Sequence, residues 1–504
     1  MRINRAIKNI IYAGGSYILL GILSIIVRKV FLNNLTVDFL GYDGLFGNIF
    51  SFFMLADLNI EGLILYRLFP AYNFGDKQQV SSLISMYKYL YKLVGLGIAI
   101  IGVVVAPFLH YIIKENSLPW SYIYVIYFIQ LGITLSTYFL GYKRLLFSVA
   151  QAEYVVTKVD FMTNLLVYLT RILVIVFTGN YILYLVSGLC GNIIGNVVIN
   201  IKSKEDFKEV IITDGIKLSD IKEAGFWVDI KNNISQKFGM TVYGATDNII
   251  ITYLLGITIA GLYSNYILIQ SYITTFLTRI LKPLSMGIGD YIYSEEYEKG
   301  EALFKMFDLL SFFLASIVCA AYICLFNPAI EVLFGAKFIM TQAFVVAFSV
   351  NQYIAWNHLF LGYYRMAFGN YEKDKIFILV GAFLNIFVSL LAGKYWGITG
   401  IMIGTVIGHM GFWIGRCRIV YTEYIKEEVV RYIFRQSIRA IICVIECTVL
   451  YYVNVGFPKT FVYLILRVII VSLFTMIVNV ILFHNTSEFK LIIQYVDDIV
   501  GRKH

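Results

Sequence analysis

Apolar runs of roughly twenty residues, separated by short polar turns, recur from one end of the chain to the other. A helix needs about 20 such residues to cross a bilayer. The pattern predicts fourteen spans, from residues 10–32 at one end to 461–483 at the other. The residue-by-residue alternation of a membrane β-barrel does not occur. The expected fold is therefore all-α: a polytopic membrane protein with about 14 transmembrane helices.

The stretch that departs most from the pattern is the seventh span, within residues 226–256. Its first half is crowded with polar side chains, Lys231 and Lys237 among them. Wound as a helix, it places Asp229, Asn233, Gln236, Met240, Tyr243 and Asp247 at steps of three and four, on one face. Charges inside a membrane are costly and usually line a bundle interior or a wet cavity. The segment reads as a cavity wall. The competing reading is a cytoplasmic amphipathic segment that enters the membrane near Val242.

Composition agrees with a membrane setting. The 504 residues are 59% hydrophobic and 14% charged, against about 25% charged in soluble chains. The net charge of +9 does not point to nucleic acid, because the basic residues sit in short loops. With an even number of spans, 31 of the 41 Lys and Arg fall on the side of the N-terminus. The positive-inside rule then puts both termini in the cytoplasm of a multi-pass plasma-membrane protein. The opening apolar run is too long for a signal peptide and reads as an uncleaved first span. The six cysteines lie in or beside apolar runs without a C-x-x-C pair. They read as small buried hydrophobes, with no metal site and no cofactor.

The chain also repeats. Phe139-Leu-Gly-Tyr142 with Arg144 recurs as Phe360-Leu-Gly-Tyr363 with Arg365. Gly44-Leu-Phe-Gly-Asn48 resembles Gly261-Leu-Tyr-Ser-Asn265, and Gly191-x-x-x-Gly195 has a counterpart in Gly404-x-x-x-Gly408. Three matches in one order at nearly one offset imply a duplication. Six spans per copy keep both copies in the same orientation, a parallel repeat. The expected organisation is a six-helix lobe at 1–201, a cytoplasmic linker at 202–225, a second six-helix lobe at 226–425, and two added helices with a tail at 426–504. The linker alternates in charge around an apolar face, so it is expected to be helical and to lie on the membrane surface.

Residues 40–95, containing Leu40-Gly-Tyr-Asp-Gly-Leu-Phe-Gly-Asn48, and residues 245–270, containing Asp247-Asn248 and Gly261-Leu-Tyr-Ser-Asn-Tyr266, resemble polysaccharide repeat-unit flippases. These are the Wzx-type members of the MOP exporter superfamily, related to MurJ-type and MATE-type transporters. The likeness spans the first twelve helices. The sequence departs from the family pattern at Glu61, where a small residue is usual, and at Asp57-Leu-Asn59, where Glu-Leu-Gly is frequent. The resemblance implies a V-shaped pair of lobes around a central cavity. It implies alternating-access export of an undecaprenyl-pyrophosphate-linked oligosaccharide to the outer leaflet, for capsule, exopolysaccharide or O-antigen. The implied partners are that lipid-linked oligosaccharide, membrane lipids, a proton or sodium counter-ion, a polysaccharide polymerase and glycosyltransferases, with no nucleic acid.

Several residues are candidates for this work. Arg28 ends the first span beside Lys29. Lys29 reads as a snorkelling anchor, and the resemblance implies that Arg28 faces the cavity. Arg171 sits mid-span, where a buried Arg is rarely idle; its structural alternative is a partner such as Asp160 or a nearby carbonyl. With Lys231 and Lys237 they form a candidate cationic surface for substrate. Asp229, Asn233, Gln236 and Asp247 form its polar face. Asp57 and Glu61, one helical turn apart, suit ion coupling, because neighbouring carboxylates in a low dielectric resist joint ionisation. Glu446 and Arg467, in the added spans, are expected to pair with each other or with loops. Nothing points to an enzyme: no phosphate-binding G-x-x-x-x-G-K-[ST] loop occurs, and no large external loop could hold a polymerase site. The rivals are a MOP-type exporter of lipid II or of a small cationic drug, and a membrane polysaccharide polymerase.

Overall fold

The computed structural model describes residues 2–57, 60–114, 116, 118–216, 220, 241, 244–293, 297–367 and 371–501. Among them the secondary structure is helical and no strand occurs. Eight of the described helices are long and apolar enough to cross a membrane, and the protein is a multi-pass integral membrane protein. By packing, the chain divides into two units, Met1–Gly261 and Leu262–His504.

The first unit contains α1 (Arg2–Asn34), α2 (Asp38–Phe53), α3 (Ile60–Asn73), α4 (Lys77–Val105), α5 (Trp120–Leu140), α6 (Glu153–Thr178), α7 (Tyr181–Asp206) and α8 (residues 244–255). The expected second span is not one helix. It comprises α2, a 3-10 turn over Met54–Asp57, and α3. The fifth is longer than expected, since α6 starts at Glu153. Its junction with α7 is a compact cap. Gly179 adopts φ +59°, a left-handed value that costs glycine little, and the Asn180 side chain accepts from the Leu183 N–H at 3.2 Å. Seventh-span residue Asn248, on α8, lies beside Gly44 of α2, so this helix packs within the first unit.

The described part of the linker departs from the expected helix over residues 207–216; residues 217–219 and 221–225 lie outside the described residues. The α7 helix carries it only to Asp206; residues 207–209 form a turn and residues 210–213 have no regular secondary structure. The Ile211 and Thr213 N–H groups donate to Ser81 Oγ and Ser85 Oγ of α4, at 3.1 and 3.0 Å. Lys77 pairs with Glu209 at 2.6 Å and Lys88 with Asp214 at 2.7 Å. The hydrogen bond from Lys88 holds the exposed Asp214 carboxyl below the usual carboxylate range. The fit is geometric. Four residues of helix rise about 6 Å, and two of extended chain rise about 6.8 Å. Alternate linker residues therefore meet successive turns of α4. The charge alternation that suggested a surface helix serves this strap.

The second unit contains α9 (Ile257–Tyr293, from Leu262), α10 (Tyr297–Leu333), α11 (Gln342–Asn357), α12 (Leu359–Ala367), α13 (Tyr371–Val420), α14 (Val429–Val455), α15 (Phe461–Phe483) and α16 (Ser487–Gly501). Two expected spans run through α13, broken at Gly397 with φ +58° and ψ −139°, a conformation open to glycine. A core of Phe304, Phe360, Tyr364, Trp413, Tyr421 and Tyr432 ties α10, α12, α13 and α14 together.

The added helices are held by a buried polar clamp. Asp308 on α10, 4% exposed, accepts from Arg439 Nη1 at 2.5 Å, from Gln436 Nε2 at 3.1 Å and from the Tyr432 hydroxyl at 3.1 Å. Gln436 in turn accepts from Asn357 Nδ2 at 2.8 Å. Of the two expected arrangements for Glu446 and Arg467, Arg467 takes the one with a loop. Arg467 Nη2 donates to the Phe457 carbonyl and its guanidinium lies over the Phe457 ring. The Glu446 carboxylate is buried with no hydrogen-bond partner among the described residues. A local carbonyl satisfies Arg467 from its own end of the helix pair.

Removing one member of a buried ion pair leaves the other charge uncompensated, at a cost of about 3–5 kcal/mol. Asp308→Ala should destabilise the protein by that order, and Asp308→Asn by less because it keeps an acceptor for Gln436. Thermal unfolding in detergent reads the difference. Equal melting temperatures for Asp308→Ala and the unaltered protein would show that the clamp contributes nothing.

Candidate functional site

The polar residues of the first unit converge where α6 and α7 face each other. On α6, Asp160, Thr163, Asn164, Val167 and Arg171 recur at steps of three and four; on α7, Gly188, Gly191, Asn192, Gly195 and Asn196 do the same. The glycines form the floor. A methyl added at Gly188 would collide with the Arg171 guanidinium, one at Gly191 with Val167, and one at Gly195 would press on Thr163 Oγ1 at 3.3 Å. Three knobs thus sit on three residues without side chains. Beside them remains a cavity of about 190 Å³ bordered by Arg144, Asp160, Asn164, Arg171 and Asn192.

One end of the cavity is an ordered network. Arg144 donates from Nη1 and Nη2 to the two Asp160 oxygens, each at 2.8 Å, and from Nε to Asn196 Oδ1 at 2.9 Å. Asn196 Nδ2 donates to Asn192 Oδ1 at 2.8 Å, and Ser136 Oγ donates to the same oxygen at 3.1 Å. This bidentate fork is the strong form of an Arg–carboxylate contact. Asp160 is therefore engaged by Arg144 and not by Arg171.

Arg171 is held differently. Its guanidinium stacks on the Tyr184 ring, 4.3 Å from the centroid, and Nε donates to the Tyr184 carbonyl at 3.4 Å. Stacking fixes the plane of the fork while leaving its edge toward the cavity. Beyond it lies Asp43 of α2. The Asp43 carboxylate accepts from the Tyr181 hydroxyl and, at 2.5 Å, from Gln130 Nε2. Arg171 and Arg28 are both within electrostatic reach of Asp43. From Asp160 to Arg171 the helix rises about 16 Å, half of a hydrocarbon core of about 30 Å.

The sequence candidates are distributed as follows. Arg28 is half-buried and Lys29 exposed, so the two neighbours diverge. Arg28 and Arg171 share Asp43. Asp57 ends the 3-10 turn and Glu61 lies in the first turn of α3; residues 58 and 59 between them lie outside the described residues. Glu61 is within electrostatic reach of Asp57, Glu153 and Arg144. Asp247 is half-buried on α8. Asp229, Lys231, Asn233, Gln236 and Lys237 lie outside the described residues. Sequence reasoning missed Asp43; it named Asp160 only as a partner for Arg171, and Arg144 only as part of the repeat. Arg144 reads as one more loop charge, although its recurrence as Arg365, which is 2% exposed in the second unit, marks it. The tyrosines Tyr263 and Tyr266 are buried, and Tyr266 bonds to Asn327 and Met340, a packing role.

No protein-family model matches the chain, and no curated protein matches it. Solved structures do. A lipid II flippase, MurJ, in its inward closed conformation aligns with a TM-score of 0.67 over 94% of this chain and 99% of its own, at 14% identity. An inward-facing multidrug-resistance MATE transporter of the MOP superfamily aligns at 0.57, over 79% and 94%, at 14% identity. A mutant of the Vibrio cholerae MATE transporter VcmN aligns at 0.52, over 84% and 99%, at 13% identity. At such identities the likeness is one of fold: the chain has the fold of these transporters.

The glycine floor makes a specific prediction. Gly188→Leu should displace the Arg171 guanidinium, while Gly179→Ala, in the turn between α6 and α7, should affect stability without touching it. An engineered cysteine at Asn192 reports on the change. Its reaction with a negatively charged thiol reagent should slow at least severalfold in Gly188→Leu and in Arg171→Ala, and stay unchanged in Gly179→Ala. Equal rates in all would mean that Arg171 does not set the potential of this cavity.

Proposed function

We propose that the protein exports an undecaprenyl-pyrophosphate-linked oligosaccharide repeat unit from the inner to the outer leaflet of the plasma membrane by alternating access, without enzymatic chemistry. The observation that carries this reading is the Arg171 fork, stacked on Tyr184 and facing a cavity. A pyrophosphate head group cannot enter an apolar site unpaired, because desolvating an anion without a partner is expensive. Arginine receives it well: it stays charged when buried and offers two parallel donors to phosphate oxygens. Arg28 supplies further positive potential near the same point. Lys231, Lys237 and the polar face formed by Asp229, Asn233, Gln236 and Asp247 belong to this proposal as the substrate-facing part of the seventh span.

The full-length fold match to a lipid II flippase supports a lipid-linked substrate. The sequence resemblance to repeat-unit flippases favours an oligosaccharide for surface polysaccharide over lipid II. Asp43, Asp57 and Glu61 are the groups for proton or sodium coupling. Asp43 is the better placed of the three, within electrostatic reach of both Arg28 and Arg171: loss of its charge would raise the positive potential at both arginines. Both termini are placed in the cytoplasm. Export of a small cationic drug is the second reading, since one of the structures of this fold is a multidrug-resistance transporter. It draws on these carboxylates and predicts the opposite dependence on the arginines.

Arg28→Ala and Arg171→Ala should each abolish surface polysaccharide, with the protein present in the membrane at normal level. Lysine at either position should restore export only in part, by providing charge without the fork. Immunoblotting of surface polysaccharide against protein level measures both. Normal export by both alanine variants would refute the reading.

A further inference from the structure

Three cysteines far apart in sequence meet in the second unit. Cys319 lies on α10; Cys443 and Cys447 lie one turn apart on α14, and all three are buried free thiols. Cys443 Sγ is 3.9 Å from Cys447 Sγ, and Cys447 Sγ is 4.0 Å from Cys319 Sγ. The three sulfurs lie within 4.8 Å of one another. This is a triangle with a definite capacity. An ion in the plane of three sulfurs, equidistant from them, needs a sulfur separation of √3 times the bond length. For a metal–thiolate bond of about 2.3 Å that separation is about 4.0 Å. Two edges meet it as they stand.

The triangle borders a cavity of about 430 Å³ that also reaches Val346, Val350, Val444 and Tyr452. Those four side chains are exposed at the protein surface, so the sulfurs are accessible from outside the helix bundle. Thiolate ligands select soft ions such as Cu(I) and zinc, and exclude the hard cations that need oxygen. Structural zinc takes four ligands, and iron–sulfur clusters are held by four cysteines. Among the described residues no fourth cysteine, histidine or carboxylate joins this group. We infer that Cys319, Cys443 and Cys447 form a three-sulfur site for a soft d10 cation, with Cu(I) the matching ion. Binding exchanges thiol protons for the metal with no change of oxidation state. It clips α14 to α10 beyond the Asp308–Arg439 clamp, about three turns along α10 and one to two turns along α14. The inference is independent of the transport reading.

The test uses the full-length protein, purified with reductant, titrated with Cu(I) in competition with a chromophoric Cu(I) chelator. One Cu(I) per chain should be withheld from the chelator, with a sulfur-only shell in X-ray absorption. Cys319→Ser and Cys443→Ser should each weaken binding at least tenfold. Cys190→Ser and Cys417→Ser, outside the triangle, should not. Equal competition by the unaltered protein and by the triple serine variant, or nitrogen and oxygen in the metal shell, overturns the assignment. So does recovery of Cys447 as a disulfide after alkylation of the reduced preparation. Where a serine variant fails to fold, the stoichiometry and ligand shell of the unaltered protein decide the question alone.

Discussion

The first unit depends on the close approach of α6 to α7 across Gly188, Gly191 and Gly195. Lipid tails are as apolar as leucine, so helices in a bilayer gain little from burying apolar surface against each other. Small residues that admit close packing take over that role. Here the same small residues do a second job. Because Gly188 has no side chain, Arg171 can lie flat between the helices and stack on Tyr184. Because Gly195 leaves room, Asn196 and Asp160 can share Arg144. Packing and polar chemistry therefore rest on one set of positions, and a larger residue there would disturb both.

The cost of charge in a membrane explains the arrangement of the rest. Arg144, Arg28 and Arg171 each have a carboxylate nearby: Asp160 for Arg144, and Asp43 for Arg28 and Arg171. The two cases differ in commitment. The Arg144 fork is fully occupied, whereas Arg171 is oriented by a ring and a long hydrogen bond. Under the proposed reading, the less firmly held Arg171 is the group that an anionic head group would meet. In the second unit the same cost is met by the Asp308 clamp, which ties the first of the added helices to α10.

Much of this was legible in the sequence, because the bilayer imposes a strong pattern. The all-helical, multi-pass fold follows from hydropathy. Arg171 stood out because arginine at the centre of an apolar run is expensive. What could not be read were partners set by tertiary contact. Asp43 lies just ahead of its apolar run and resembles a loop residue, until Tyr181 and Gln130, far along the chain, close around it. Arg144 is hidden among basic loop residues. The linker misled for a related reason: alternating charge fits a surface helix and an extended strap equally well. Its serine partners on α4 lie more than a hundred residues away. Cys319 and Cys447 likewise meet only through the crossing of α10 and α14.

The central claim is that a pyrophosphate head group is what the arginines receive. Reconstituted vesicles test it directly, by following the translocation of two polyprenyl oligosaccharides that differ only in carrying a pyrophosphate or a neutral linkage. The account predicts that the pyrophosphate form moves and the neutral form does not, and that Arg171→Ala abolishes the difference by stopping the former. Equal movement of both lipids, or undiminished transport of the pyrophosphate form by Arg171→Ala, would contradict it.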